Sequence, residues 1–214
     1  SGKLNSSAGV LGKMLSPQNL AWKGFSDNLA YYERISAAGV PLWTANGVVV
    51  CNNPNNQSYP RLTTDGAGGI LIVWEDNRNA STDIYGQRLN GNGVAQWPAN
   101  GVSICFAGGN QTQPAIAPDA AGGAFITWAD FRGGVTSDVY MQHILFNGSG
   151  TWATNGVVIC NAADNQSGPG IIADGTGQPA VSSKSLSTTS LIWPGFIAKA
   201  ASSKGLTIMP RPKK

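Results

Sequence analysis

One spacing governs three chemically unrelated residue types in this chain. Trp43, Trp97 and Trp152 lie 54 and 55 positions apart, and the same two increments relate Cys51, Cys105 and Cys160, and again Asp65, Asp119 and Asp174. In this register PLWTANGVVVC (41–51), AQWPANGVSIC (95–105) and GTWATNGVVIC (150–160) superimpose. Each is followed by Asn-Gln-Ser/Thr-x-Pro: Asn56 to Pro60, Asn110 to Pro114 and Asn165 to Pro169. A chain with such a period must fold as repeated supersecondary units that bury their apolar faces against one another.

The interior of one period predicts the unit. Four short β-rich runs alternate with Gly, Asn and Asp turns, which suits the four-stranded antiparallel blade of a β-propeller. Strand a is expected over 58–64 (SYPRLTT), and the following Asp65-Gly-Ala-Gly-Gly supplies residues that tolerate positive φ in a tight turn. Strand b, 70–75 (ILIVWE), is nearly all apolar and fits burial on both faces between neighbouring blades. Strand c covers 83–89 (DIYGQRL), and strand d is the Trp43-type segment ending in cysteine.

Upstream, AYYERISAAG (30–39) matches the strand c region at Tyr31, Arg34 and Gly39, and Ala21-Trp22 resembles the end of a strand b. The expected organisation is an irregular segment over 1–19, repeats over 20–175 running b-c-d, two full copies and a last strand a, and a basic non-repeat tail over 176–214. The last strand a, 167–173, is expected to complete the N-terminal b-c-d. That yields an all-β chain of about three blades, fewer than the roughly four to eight of a closed ring. Completion by homo-oligomerisation is therefore expected, as a homodimer first and a trimer next, each chain lending its last strand to its neighbour.

Composition supports a packed β-protein, with 42% hydrophobic residues, seven tryptophans, 28 glycines and only 12% charged residues. No apolar stretch approaches the length of a membrane-spanning helix. Residues 1–180 hold eleven acids and eight bases, whereas 181–214 hold six bases and no acid. Lys184, Lys199, Lys204, Arg211, Lys213 and Lys214 are spread out without interleaved aromatics, which argues against a nucleic-acid surface. Beyond Gly175 the period ends, and Ser183 stands where Trp74 and Trp128 stand in the other copies.

Trp74-Asp76-Arg78 with Asp83-Ile84-Tyr85-Gln87, and Trp128-Asp130-Arg132 with Asp138-Val139-Tyr140-Gln142, combine with the W-x-x-N-G-V and N-Q-[ST]-x-P segments into a pattern. It resembles the tandem-repeat β-propellers of large secreted bacterial proteins, distantly similar to the sialidase-like Asp-box propellers. The resemblance covers about residues 20–175 and implies a propeller fold and a secreted or cell-surface parent of which this is a fragment. The turn before Trp97 (NGNGVAQW) lacks the Asp-box register, so sialidase chemistry is not implied.

Candidate site residues follow from chemistry and from differences between copies. Asp76–Arg78 and Asp130–Arg132 sit two apart, the spacing of a local ion pair, and recur once per blade, which favours structure over catalysis. With Glu75, Tyr85, Arg88 and Tyr140 they form the candidate ligand-binding set. Asp83 and Asp138 read as caps of the b–c turn, or as hard oxygen ligands for calcium, with zinc the other candidate cation. The cysteines, one per blade, read as buried structural thiols.

The copies differ at few places: His143 replaces Arg88 and Arg34, Glu75 faces Ala129, and Phe106 and Phe131 replace Asn52 and Asn77. His143, the only histidine, is the candidate general base, against the alternative of an ordinary hydrogen-bonded strand residue. The first functional expectation is an oligomeric scaffold or a module binding a carbohydrate-like or other small polar ligand. The second is a promiscuous, metal-assisted hydrolase of phosphate esters, lactones or esters working in the assembled ring.

Overall fold

A computed structural model describes residues 19–26, 29–44, 46–174, 176–185, 189–193 and 196–199, with side chains over 31–44, 46–174 and 176–184. The regular secondary structure described is all β. β1 (Asn19–Ser26), β2 (Leu29–Ile35) and β3 (Val48–Cys51) form a three-stranded sheet. β4 (Gln57–Thr64), β5 (Ile70–Asp76), β6 (Asp83–Leu89) and β7 (Val102–Cys105) form a four-stranded antiparallel meander. β8 (Gln111–Pro118), β9 (Ala124–Asp130), β10 (Asp138–Ile144) and β11 (Val157–Cys160) repeat it. The first strands of successive sheets, β4, β8 and β12 (Gln166–Ala173), lie beside one another, so the sheets stand as β-propeller blades around their inner strands.

Strand limits match expectation, but the C-terminal region does not. β12 was expected to complete the first sheet; instead it pairs antiparallel with β13 (Pro179–Ser185), followed by β14 (Thr189–Trp193) and β15 (Phe196–Lys199) in a fourth sheet. The expected non-repeat tail thus contributes three strands, and the first sheet has three among the described residues. Sheet pairing uses backbone groups and needs only β-compatible side chains, so a segment that has lost the repeat signature can keep the topology. Residues 1–18 and the bases from Lys204 onward fall outside the described residues.

Burial explains the unbroken apolar run of strand b. Ile70, Ile72 and Trp74 on one face of β5 pack with Tyr32, Val50 and Cys51 of the first sheet. Leu71 and Val73 on the other face pack with Ala124, Ile126 and Trp128 of the third. Blade packing is therefore a layered core in which each strand b is buried from both sides.

At the end of strand b the Trp-x-Asp-x-Arg motif closes this packing. Asp76 is fully buried, and its Oδ2 accepts from the Trp74 indole Nε1–H and from Arg78 Nη2, each at 2.7 Å. Its Oδ1 accepts from the Arg78 backbone N–H and Nε–H at 2.9 and 2.8 Å. The Arg78 guanidinium stacks 3.7 Å over the Tyr85 ring, donates to Asn100 O at 2.9 Å and lies 3.5 Å from Cys51 Sγ of the preceding sheet. Asp130, Trp128, Arg132, Tyr140, Asn155 and Cys105 reproduce the arrangement one blade on.

The Asn-Gly that precedes strand d serves the same joint. Asn100 and Asn155 adopt φ of 67° and 66°, and their side-chain carbonyls accept from the backbone N–H of Asn52 and Phe106 across the blade boundary. Gly101 follows at φ 81°, where a Cβ would lie 2.6 Å from the Trp74 ring. Only glycine combines that backbone with that approach.

Loss of the Asp76 carboxylate leaves the buried indole N–H without an acceptor and the Arg78 guanidinium without its counter-charge. Asp76→Ala and Asp130→Ala are each expected to lower stability by about 3–5 kcal/mol, read as the shift of the thermal or urea transition.

Candidate functional site

The hairpin directions define two ends of each blade. β5 begins where Ile70 pairs with Thr64 and Leu89, next to the a–b and c–d turns, and ends where Asp76 pairs with Gln57 and Asp83, next to the d–a and b–c loops. These are termed the lower and upper ends. The expected ligand set divides between them, and most of it is occupied by the protein itself.

At the upper end, Asp76, Arg78, Tyr85, Asp130, Arg132 and Tyr140 belong to the inter-blade joint described above. Their polar atoms face one another, which disfavours a ligand role. Asp83 is buried, accepts from Asn79 Nδ2 at 2.6 Å, and is pushed above the ordinary carboxylate value by burial and by nearby Asp76, with Asn79 opposing. Asp138 is raised likewise by burial and by Asp130. The two open strand c of different blades, and among the described residues no three His, Cys, Asp or Glu side chains are grouped to hold a metal ion. Cys51, Cys105 and Cys160 are free thiols, and burial pushes Cys105 up to about 12.

Glu75 stands apart from the joint. It leaves β5 on the face opposite Asp76, and its Oε1 accepts from the Gln113 backbone N–H of the next blade at 2.7 Å while Ser58 Oγ lies 3.4 Å from Oε2. Burial pushes its carboxyl above the ordinary value of 4.5 against these hydrogen bonds and the nearby Arg61. Where the third sheet has Ala129 in place of Glu75, the Gln113 side-chain carbonyl takes over and accepts from Gly168 N at 2.6 Å.

These contacts sit at a bulge in each inner strand, between Ser58 and Arg61, Thr112 and Ala115, and Ser167 and Gly170. The residue before proline in each bulge is left-handed: Tyr59 at φ 50°, Gln113 at 56° and Gly168 at 54°. For glycine this is unstrained, whereas a bulky residue there, and before proline, stores about 1–3 kcal/mol. Tyr59 is 58% exposed, beside exposed Arg61.

The lower end carries the period's aspartates. Asp65 Oδ1 accepts from Ala67 N and Gly69 N, Asp119 from Ala121 N and Gly123 N, and Asp174 from Thr176 N and Gln178 N, so each closes its a–b turn. Arg88 pairs with Asp65 at 2.8 Å, beside an open groove of about 400 Å³ that also touches Phe146. His143 holds the equivalent place: its Nε2 lies 2.9 Å from Asp119 Oδ2, its Nδ1 lies 3.1 Å from Thr151 Oγ1, and Phe125 stacks on its ring at 4.3 Å. Burial acts to raise Asp119, but His143 and the two turn N–H groups outweigh it and hold the carboxyl below the ordinary range. Asp65 is held low in the same way by Ala67 N, Arg88 and Gly69 N.

No protein-family model and no curated protein matches the chain. Among solved structures it is similar to Penicillium chrysogenum α-L-arabinanase complexed with arabinobiose, at TM-score 0.48 and 15% identity over 91% of this chain. The match covers 60% of that protein's chain.

Sequence reasoning singled out Glu75 and His143 correctly as differences between copies, but missed Tyr59, Gln113, Asp119 and Thr151 as their neighbours. Thr151 replaces Gln96 and Gln113 replaces Tyr59 in the aligned copies, a signal that was available. What was lacking was the bulge and the hairpin register that bring them together.

Opposite shifts give opposite pH effects. Asp119 and Asp65, depressed on folding, contribute stability above their unfolded value of 3.8 that is lost as pH falls through the folded value. Glu75, raised on folding, leaves stability intact below 4.5 and erodes it as pH rises through the folded value. Glu75→Gln is therefore expected to gain stability relative to wild type as pH rises from 4 to 7, and Asp119→Asn to lose it as pH rises from below the folded Asp119 value to above 3.8, both read from urea transitions across pH.

Proposed function

We propose that the chain is a propeller-type binding module that takes a neutral, carbohydrate-class ligand at the upper end of its inner strands. The observation that carries this reading is the backbone strain at Tyr59. The same bulge is relaxed with glycine at position 168, so an exposed tyrosine held at positive φ is explained by what its side chain does rather than by the fold.

A ring with a polar edge is suited to lie against the apolar face of a sugar, and it loses little conformational freedom on doing so. Beside it, the exposed Arg61 guanidinium supplies donors and the exposed Gln113 amide supplies a donor for hydroxyl groups, while buried Glu75 fixes the Gln113 backbone. A small number of fixed polar groups beside an aromatic surface is the usual composition of such sites. The joint residues Asp76, Arg78, Asp130 and Arg132 hold the blades at the spacing that brings Glu75 and Gln113 together, and so act on the site through geometry. Association of several copies would multiply such sites and raise avidity.

Tyr59→Gly separates the two roles of the residue. It is expected to raise stability by about 1 kcal/mol through relief of strain while abolishing binding of neutral oligosaccharides, measured by glycan array and titration calorimetry. A Tyr59→Gly protein that binds as wild type, or a wild-type protein that binds no oligosaccharide on the array, would sink the proposal.

A further inference from the structure

The lower end of the third blade holds a second arrangement, independent of the upper-end site. Departures from the repeat cluster there: Phe125 replaces Leu71, His143 replaces Arg88, and Thr151 replaces Gln96. In the second blade, Arg88 and Asp65 make an ion pair, and Gln96 Nε2 turns away to Val94 O. In the third, the three substitutions produce a continuous chain of hydrogen bonds from a buried carboxylate through an imidazole to an exposed hydroxyl.

Capping the a–b turn does not require this chain. Asp119 Oδ1 alone closes the turn through Ala121 N and Gly123 N, at 2.7 and 2.8 Å, and leaves Oδ2 for His143. An anionic Asp119 accepting from Nε2–H fixes the tautomer in which Nδ1 carries the lone pair, and that lone pair faces Thr151 Oγ1. Phe125, stacked with 21° between planes, keeps the imidazole from turning.

Trp152 differs from its copies in the same place. Trp43 Nε1 and Trp97 Nε1 donate to Gly91 O and Phe146 O of the following blade's c–d turn, and Trp97 is 7% exposed. Trp152 has no such acceptor among the described residues and is 37% exposed, with its ring 6.1 Å from that of His143. An apolar wall thus flanks the hydroxyl.

We propose that Asp119, His143 and Thr151 form an acyl-transfer site in which Thr151 Oγ1 is the nucleophile toward small activated esters with an aromatic leaving group. His143 Nδ1 takes the Thr151 hydroxyl proton as Oγ1 adds to the ester carbonyl carbon. Collapse of the tetrahedral adduct breaks the bond to the leaving oxygen, which receives that proton from His143, and leaves acyl-Thr151. Water then adds to the acyl carbon by the same route, releasing the carboxylic acid and restoring the threonine. Asp119 is the positioning residue. The only charged partner within the cluster is the Asp119 carboxylate, which disfavours phosphate esters and favours neutral acyl compounds.

The test uses the full chain and p-nitrophenyl acetate. Wild type is expected to release p-nitrophenol above the buffer rate, with an acetyl adduct on the peptide carrying Thr151, and EDTA is expected to leave the rate unchanged. Thr151→Ala and His143→Arg are expected to lower the rate about 100-fold or more. The arginine recreates the Arg88–Asp65 pairing and keeps the turn intact, and Thr151→Ser is expected to retain turnover. A wild type no faster than buffer, a His143→Arg protein as fast as wild type, or turnover abolished by EDTA would each overturn the proposal. Loss of sugar binding in Tyr59→Gly with unchanged esterolysis would show the two sites to be separate.

Discussion

A carboxylate buried at the end of strand b is the constraint on which the rest of this structure depends. Asp76 and Asp130 have no access to solvent, and an unpaired charge there would be heavily penalised by desolvation. The fold answers with a full set of donors drawn from three directions: the indole two residues before, the guanidinium two residues after, and the backbone between. The same guanidinium then reaches a carbonyl in strand d's approach and a thiol in the preceding sheet. Two polar side chains that look like a ligand site in one dimension are the fastening between blades in three.

The repeat also shows how a fold tolerates substitution by relocating a hydrogen bond. The inner-strand amide at the bulge needs an acceptor from the blade before it. Glu75 supplies one for Gln113, and where Ala129 supplies none, Gln113 itself serves Gly168. The exchange of a charged acceptor for an amide moves a titratable group out of one interface and leaves it in the other. Cys160 illustrates the opposite case. Its equivalents Cys51 and Cys105 are buried beneath Trp-Asp-Arg joints, whereas the fourth sheet has Ser183 at the tryptophan position and Cys160 stays partly exposed.

Function, on this reading, occupies positions the repeat can spare. At the upper end glycine at the equivalent position 168 shows that the bulge needs no side chain, so the aromatic ring at position 59 is carried at a cost in strain. At the lower end the turn is served by one oxygen of Asp119, which frees the other to orient His143. In both places the structural requirement is met by backbone or by part of a side chain, and the remainder is available for chemistry.

The sequence by itself determined the period, the four strands of each blade with their limits, the ion pairing of Asp76 with Arg78, and the singular status of His143 and Glu75. These are local properties: strand patterning, turn residues and pairs two apart act within one blade and repeat with it. Tertiary structure alone decided that β12 begins a fourth sheet, since backbone pairing leaves no signature in side chains that have drifted from the repeat. It alone decided which face of Glu75 meets Gln113 and that Thr151 meets His143, because a bulge and a hairpin register turn distant positions into neighbours. And it alone showed Asp76 and Asp130 to be buried and saturated by the donors of their own motif, with Arg78 and Arg132 reaching on to Cys51 and Cys105 of the preceding sheet, a fact that depends on packing between sheets.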